Sequence, residues 1–220
     1  MPNTIIEYLH HHVAAKPDEV AFSFLPSKTE PLTELTFREF WSEALSVANF
    51  LKSKTQAGDK VLLLYPPNID YVVAFYGCLL AGVIAVPAPL PQNNSKQTLE
   101  IVNKCQPVLV LTTLKEVSQI RSFCQEQTGV LKSISIFTSE NSVSLMGALE
   151  AFVEIAPRTP AFLNYFSDSN NMNDEVTMTH RDIIENLKRL PIKSPESSDD
   201  VFVGWLPFFS DMDLIALGSQ

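Results

Sequence analysis

The side chains with most chemistry to offer cluster between Tyr165 and His180. Ser167, Ser169 and Thr179 bring hydroxyls, Asn170, Asn171 and Asn173 bring amides, and Asp168, Asp174 and Glu175 bring carboxylates. Hydroxyls and amides can hold a polar ligand, whereas three carboxylates repel an anionic one. Two other groups invite a metal reading. His10, His11 and His12 are consecutive, but neighbouring helix positions point to different sides and do not converge on one ion. The triplet therefore reads as a surface helix face. Cys78, Cys105 and Cys124 are odd in number, far apart and in apolar or helical contexts. They read as buried, reduced thiols, and no metal site is expected.

The elements that must position these groups alternate between two periods. Residues 3–15 pattern as an amphipathic helix, and Val20–Leu25 with Glu34–Leu35 patterns as a hairpin. Thr36 followed by Glu39 is a capping-box signature. It opens a helix whose Phe37, Phe40, Trp41, Ala44, Leu45, Ala48 and Leu51 recur on one face. Gly58-Asp59 turns the chain into a buried strand, Lys60–Tyr65. A helix at Asn68–Leu80, a strand at Val83–Val86 and an irregular stretch at Pro87–Asn94 follow. Further helices at Lys96–Lys104 and Leu114–Glu126 alternate with strands at Val108–Leu111 and Ile134–Phe137. Ala161–Phe166 reads as a strand, Ser167–Asp174 as a polar loop, His180–Leu190 as a helix and Val201–Leu206 as a strand. Short apolar strands alternating with helices predict an α/β fold: a layered, mostly parallel sheet with flanking helices.

Three segments, in order, resemble the fatty acyl-AMP ligases of the adenylate-forming superfamily. The longest is Gly58-Asp59-Lys60-Val61-Leu62-Leu63-Leu64-Tyr65-Pro66-Pro67, running into Ala74–Pro87, and it is scaffold. The second, Tyr165–Val176 followed by Thr179-His180, is similar to that family's phosphate loop. The family pattern there is Tyr-Thr-Ser-Gly-Ser-Thr, two variable residues, Pro-Lys-Gly-Val, then Thr-His, and it aligns without a gap. The third, Gly204-Trp205-Leu206-Pro207-Phe208-Phe209-Ser210-Asp211-Met212-Asp213-Leu214-Ile215, resembles the family's block Gly-Trp-Leu-Pro, two residues, His-Asp-Met-Gly-Leu.

The resemblance implies that residues 1–220 are the N-terminal part of an adenylate-forming domain, without its second half and C-terminal lid domain. The family activity it implies is ATP- and Mg²⁺-dependent conversion of a fatty acid to its acyl-adenylate. A phosphate loop needs glycines for close approach, backbone N–H groups and hydroxyls as donors, and a lysine for charge. In this chain Asp168 and Glu175 stand at the two glycine positions, Asp174 at the lysine, Asn170 at the second hydroxyl and Asn173 at the proline. Ser167, Ser169 and Thr179 are the remnants of the phosphate-binding region. Ser210 stands where the family carries histidine, so no catalytic residue is assigned. No cofactor is expected on this chain alone. Trp205, Phe208, Phe209 and Met212 are candidates to line an acyl pocket, with plain core packing as the alternative.

Composition bounds the function classes. Hydrophobic residues make up 45% and charged residues 19% of the chain, a globular balance. A net charge of −9 and a pI near 4.9 argue against a nucleic-acid surface and against an anionic membrane surface. The N-terminus lacks a basic start and an apolar core, and the Tyr71–Pro89 stretch is broken by Gly77 and Gly82. No signal peptide and no transmembrane segment are expected, and cytoplasmic placement follows by default. Three functional readings stand: an inactive relative of the ligases that keeps a fatty acyl ligand at most, a subunit of a split ligase completed by another chain, and an interaction module. The last expects a protein partner or a homo-oligomer over an exposed edge.

Overall fold

The computed structural model describes residues 2–25, 31–139, 155–168 and 171–189. The first helix, α1 (Ile5–Ala15), is capped by the Thr4 hydroxyl, which accepts from the Glu7 N–H at 3.1 Å. Strands β1 (Val20–Phe24) and β2 (Thr33–Thr36) form the expected antiparallel pair. Thr36 and Glu39 close the capping box that opens α2 (Phe37–Lys52). Phe40, Ala44, Ala48 and Leu51 on the predicted face are buried, while Phe37, Trp41 and Leu45 are partly so. His10 packs on Trp41 and His12 stacks on Phe37, which spreads the histidine rings along α2.

The main sheet has six strands in the order β6-β5-β3-β4-β7-β8. Its parallel part consists of β3 (Lys60–Leu64), β4 (Ile84–Ala88), β5 (Leu109–Thr112), β6 (Ser135–Thr138) and β7 (Pro160–Asp168). The last strand, β8 (Asn171–Thr179), runs antiparallel to β7. Alternation along β3 shows why the sheet is covered on both sides. Val61 and Leu63 belong to a core formed with α1, α2, α3 (Ile69–Ala81) and α7 (His180–Arg189). Leu62 and Leu64 belong to the opposite core, with α4 (Pro91–Cys105), α5 (Val117–Gln125) and α6 (Val130–Ser133). Among the described residues no helix is long and apolar enough to cross a membrane.

Two boundaries differ from the sequence expectation. The stretch Pro87–Asn94 is not uniformly irregular: β4 continues through Ala88 and α4 begins at Pro91. A proline deletes one ladder donor but keeps an extended φ, so Pro87 stays in the strand opposite Leu63. Asn94 interrupts α4 with non-helical φ −159° and ψ 78°, and its side chain accepts from the Gln97 N–H at 3.1 Å. It thereby caps the helix that the sequence placed from Lys96. The second difference is the polar stretch Ser167–Asp174, expected as a loop. Here β7 continues to Asp168 and β8 begins at Asn171, with Asp168 opposite Asn171 and Phe166 opposite Asp174. The Val201–Leu206 strand expectation lies outside the described residues.

Gly77 sets the distance between α2 and α3. A Cβ built on it would fall 2.5 Å from Val47 Cγ1 and 3.2 Å from the Ala44 carbonyl oxygen. Both helices are buried there, so neither side can retreat without disturbing the sheet beneath. Gly77→Ala is expected to destabilise the protein by about 1–3 kcal/mol through overpacking, against the helix propensity that alanine adds. Val47 Cβ would also lie 2.6 Å away, so only removal of the whole side chain relieves the contact: combined with Val47→Gly, the pair should lose less than the sum of the single variants in denaturant unfolding. Strict additivity would show that the α2–α3 approach is not what Gly77 serves.

Candidate functional site

The carboxyl ends of parallel strands are where open α/β sheets bind ligands, because the crossing loops part there. In this fold α3 leaves β3 toward one face, whereas α4 and α5 leave β4 and β5 toward the other. Strand β7 joins this edge through Ala85 opposite Phe162. Three residues further on, β4 ends at Ala88 and β7 has reached Tyr165. Beyond that level β7 runs to Asp168, so the β7–β8 hairpin projects by three residues, roughly 10 Å, past the end of its neighbour.

Tyr165 anchors the base of this projection. Its side chain packs with Leu163, Val86, Ala88 and Cys105 in the α4-side core. Its hydroxyl donates to the Glu175 carboxylate at 2.6 Å, directly across the ladder. Burial first, and then this bond, push the phenol well above the usual tyrosine range. Glu175 itself is exposed. The position where the sequence resemblance implies a glycine therefore carries a carboxylate fixed to a phenol.

At the other end of β8, Thr179 and Asp182 build a second capping box, this time for α7. The Thr179 N–H donates to Asp182 Oδ2 at 2.9 Å, the Asp182 N–H donates to Thr179 Oγ1 at 3.2 Å, and the Thr179 hydroxyl donates to Asp182 Oδ2 at 2.6 Å. The Thr179 hydroxyl, and above all its bond to Asp182, holds that carboxyl below its ordinary value. Thr179 thus spends its hydroxyl inside the protein and sits at the base of the arm, while Ser167 is at its far end in β7. Ser169, Trp205, Phe208, Phe209 and Met212 lie outside the described residues. Sequence reasoning missed the Tyr165–Glu175 bond. The signal was the ten-residue separation about a short turn, legible only if Ser167–Asp174 had been read as paired strands.

His180 opens α7, as its place after the capping threonine suggests. It is 1% exposed, and its Nδ1 has no partner among the described residues. Burial pulls the ring down to about 4. The three cysteines are free and buried, and burial pushes Cys105 up to about 12 and Cys124 up to about 11. Thiols at those values are almost wholly protonated at neutral pH and poor nucleophiles. Among the described residues no group of three His, Cys, Asp or Glu side chains could hold a metal ion.

A protein-family model described as AMP-binding enzyme matches residues 9–218. The chain is 28% identical over 216 residues to the medium-chain-fatty-acid–[acyl-carrier-protein] ligase JamA of Moorena producens, covering 96% of this chain and 36% of that protein. It is 29% identical over 218 residues to the long-chain-fatty-acid–AMP ligase FadD32 of Mycolicibacterium smegmatis, covering 97% and 35%. Among solved structures, the fatty acyl-adenylate ligase from L. pneumophila in complex with acyl adenylate and pyrophosphate superposes with a TM-score of 0.83 at 25% identity. That match covers 100% of this chain and 38% of the ligase. The chain thus spans about a third of the length of the curated relatives it matches.

Two outcomes follow from the buried groups. Unfolded His180 takes a proton near pH 6.5, but the folded ring does so only near 4. The native state is therefore favoured fully above pH 6.5 and loses that advantage as pH falls toward 4, by up to about 3 kcal/mol. Denaturant unfolding across this range should show a shallower pH slope in His180→Leu than in the wild type; equal slopes would refute a buried neutral ring. The folded protein should leave Cys78, Cys105 and Cys124 unmodified by a thiol reagent at pH 7, and all three should react once guanidinium is added. Fast labelling of any of them before unfolding would contradict their burial.

Proposed function

This chain belongs to the AMP-binding enzyme family, and from that premise we propose that it is the N-terminal portion of a fatty acyl-AMP ligase domain that does not by itself form an acyl-adenylate. The observation that carries the proposal is the Tyr165–Glu175 bond, which places a fixed carboxylate on the arm matching the family's phosphate loop. In this reading the loop is degenerate. Relative to the family pattern, aspartate and glutamate at the glycine positions each add one negative charge, and aspartate at the lysine position changes the balance by two. A like-charge pair about 4 Å apart costs roughly 4 kcal/mol at an effective dielectric near 20, or about three decades of affinity. The residues do not fit an ATP tail. Of the hydroxyls that the family pattern retains, that of Thr179 is engaged by Asp182.

The reading keeps a fatty acyl chain as the ligand class, with Trp205, Phe208, Phe209 and Met212 as its pocket candidates, and places the protein in the cytoplasm. A second reading is supported by coverage of about a third of the relatives: another chain supplies the remaining pocket and the activity belongs to the assembly. An interaction role, with a protein partner or a second copy over an exposed sheet edge, is compatible with either.

Calorimetry with Mg-ATP tests the proposal. The wild-type chain should show no binding at sub-millimolar concentration and no fatty-acid-dependent pyrophosphate exchange. A variant carrying Asp168→Gly, Asn170→Thr, Asn173→Pro, Asp174→Lys and Glu175→Gly should recover measurable Mg-ATP binding. Tight binding or exchange by the wild type would overturn the proposal.

A further inference from the structure

The Tyr165–Glu175 pair carries one consequence beyond loss of nucleotide grip. Tyr165 is 7% exposed and its ring is committed to the α4-side core, so the phenol cannot swing away. The Tyr165 backbone stands at the level where β4 ends, at the base of the projecting arm. The 2.6 Å bond runs to the residue directly opposite on β8, and it is the hydroxyl's partner among the described residues. Glu175 belongs to the edge strand and is exposed, as are Val176 and Thr177 beside it. A rigid donor held from the core thus meets an acceptor on a side chain that can leave.

We propose that Tyr165 is an oxyanion-donating group between β7 and β8 at the base of the hairpin, and that Glu175 occupies it as the chain's own surrogate anion, an autoinhibitory contact. The inference rests on the reading of the hairpin as an altered phosphate loop, and it adds which donor the site has and what blocks it. Removing the Glu175 side chain leaves a nearly buried hydroxyl without its acceptor, and such a group pairs with any oxyanion that can reach it. The ligand class is a phosphate or carboxylate oxygen. Glu175 excludes it twice over, by occupying the donor and by its charge. The two effects separate in substitution, because an amide oxygen at position 175 still accepts from the phenol but carries no charge.

The test uses the full chain and inorganic tripolyphosphate as the probe, titrated by calorimetry, with circular dichroism confirming the fold of each variant. Glu175→Ala should bind the probe about tenfold or more tighter than the wild type. Glu175→Gln should gain clearly less, because its amide keeps the hydroxyl occupied. Adding Tyr165→Phe to Glu175→Ala should remove most of the gain. If Glu175→Gln gains as much as Glu175→Ala, charge alone accounts for the exclusion and the Tyr165 assignment is overturned. The same holds if the gain survives Tyr165→Phe. Should Glu175→Ala gain nothing while the five-site variant binds Mg-ATP, this inference fails and the phosphate-loop reading stands. Should neither bind, the reading of the hairpin fails with it.

Discussion

The position of β7 beside β4 is the constraint on which the rest of the site depends. Ala85 opposite Phe162 fixes where β7 passes the carboxyl edge, and both side chains are buried in the core beneath α3. Phe162 also meets the Phe75 ring at 5.6 Å, edge to face, which ties the strand to the helix that Gly77 lets approach α2. A slip of one residue would turn Phe162 and Leu163 to the wrong faces, so the two cores together enforce the register. With that register set, the length of β7 decides that residues beyond Tyr165 project as an arm.

Besides its backbone ladder, the arm has a side-chain bond across its inner end and a cap where β8 meets α7. Tyr165 ties β7 to β8 through Glu175, and Thr179 with Asp182 ties β8 to α7. The same device opens α2, where Thr36 and Glu39 exchange the corresponding bonds. The two boxes differ in their place in the fold. At α2 the cap begins a helix after the small hairpin, whereas at α7 it engages the Thr179 hydroxyl where β8 ends. Both ties engage a carboxylate with a hydroxyl: Glu175 with Tyr165, and Asp182 with Thr179.

His180, whose Nδ1 has no partner among the described residues, lies next in sequence to this cap. An imidazole in an apolar core stays neutral because the charged form loses its hydration without a compensating partner. That link between the hairpin's base and α7 is therefore coupled to acidity, while the thiols are insulated from chemistry by the same burial.

Much of the scaffold is legible in the residues themselves. The apolar runs at Lys60–Tyr65 and Ile84–Val86 can be satisfied only inside a covered sheet. Thr36 with Glu39 fixes a helix start by a bond three residues long, and Asn68 does the same for α3. Local capping and periodicity carry such information because the interacting groups are near in sequence. The acidic residues at 168, 174 and 175 are equally plain. What the residues alone did not settle is that Asn171, Asn173 and Asp174, poor strand formers in isolation, belong to a strand: β7 supplies the ladder for β8 and overrides their propensity. Nor did they place the Glu175 carboxylate on the Tyr165 hydroxyl, since a bond between residues ten apart exists only once the hairpin register is closed. That register is set by the distant packing of β7 on β4, and so only the tertiary structure could decide it.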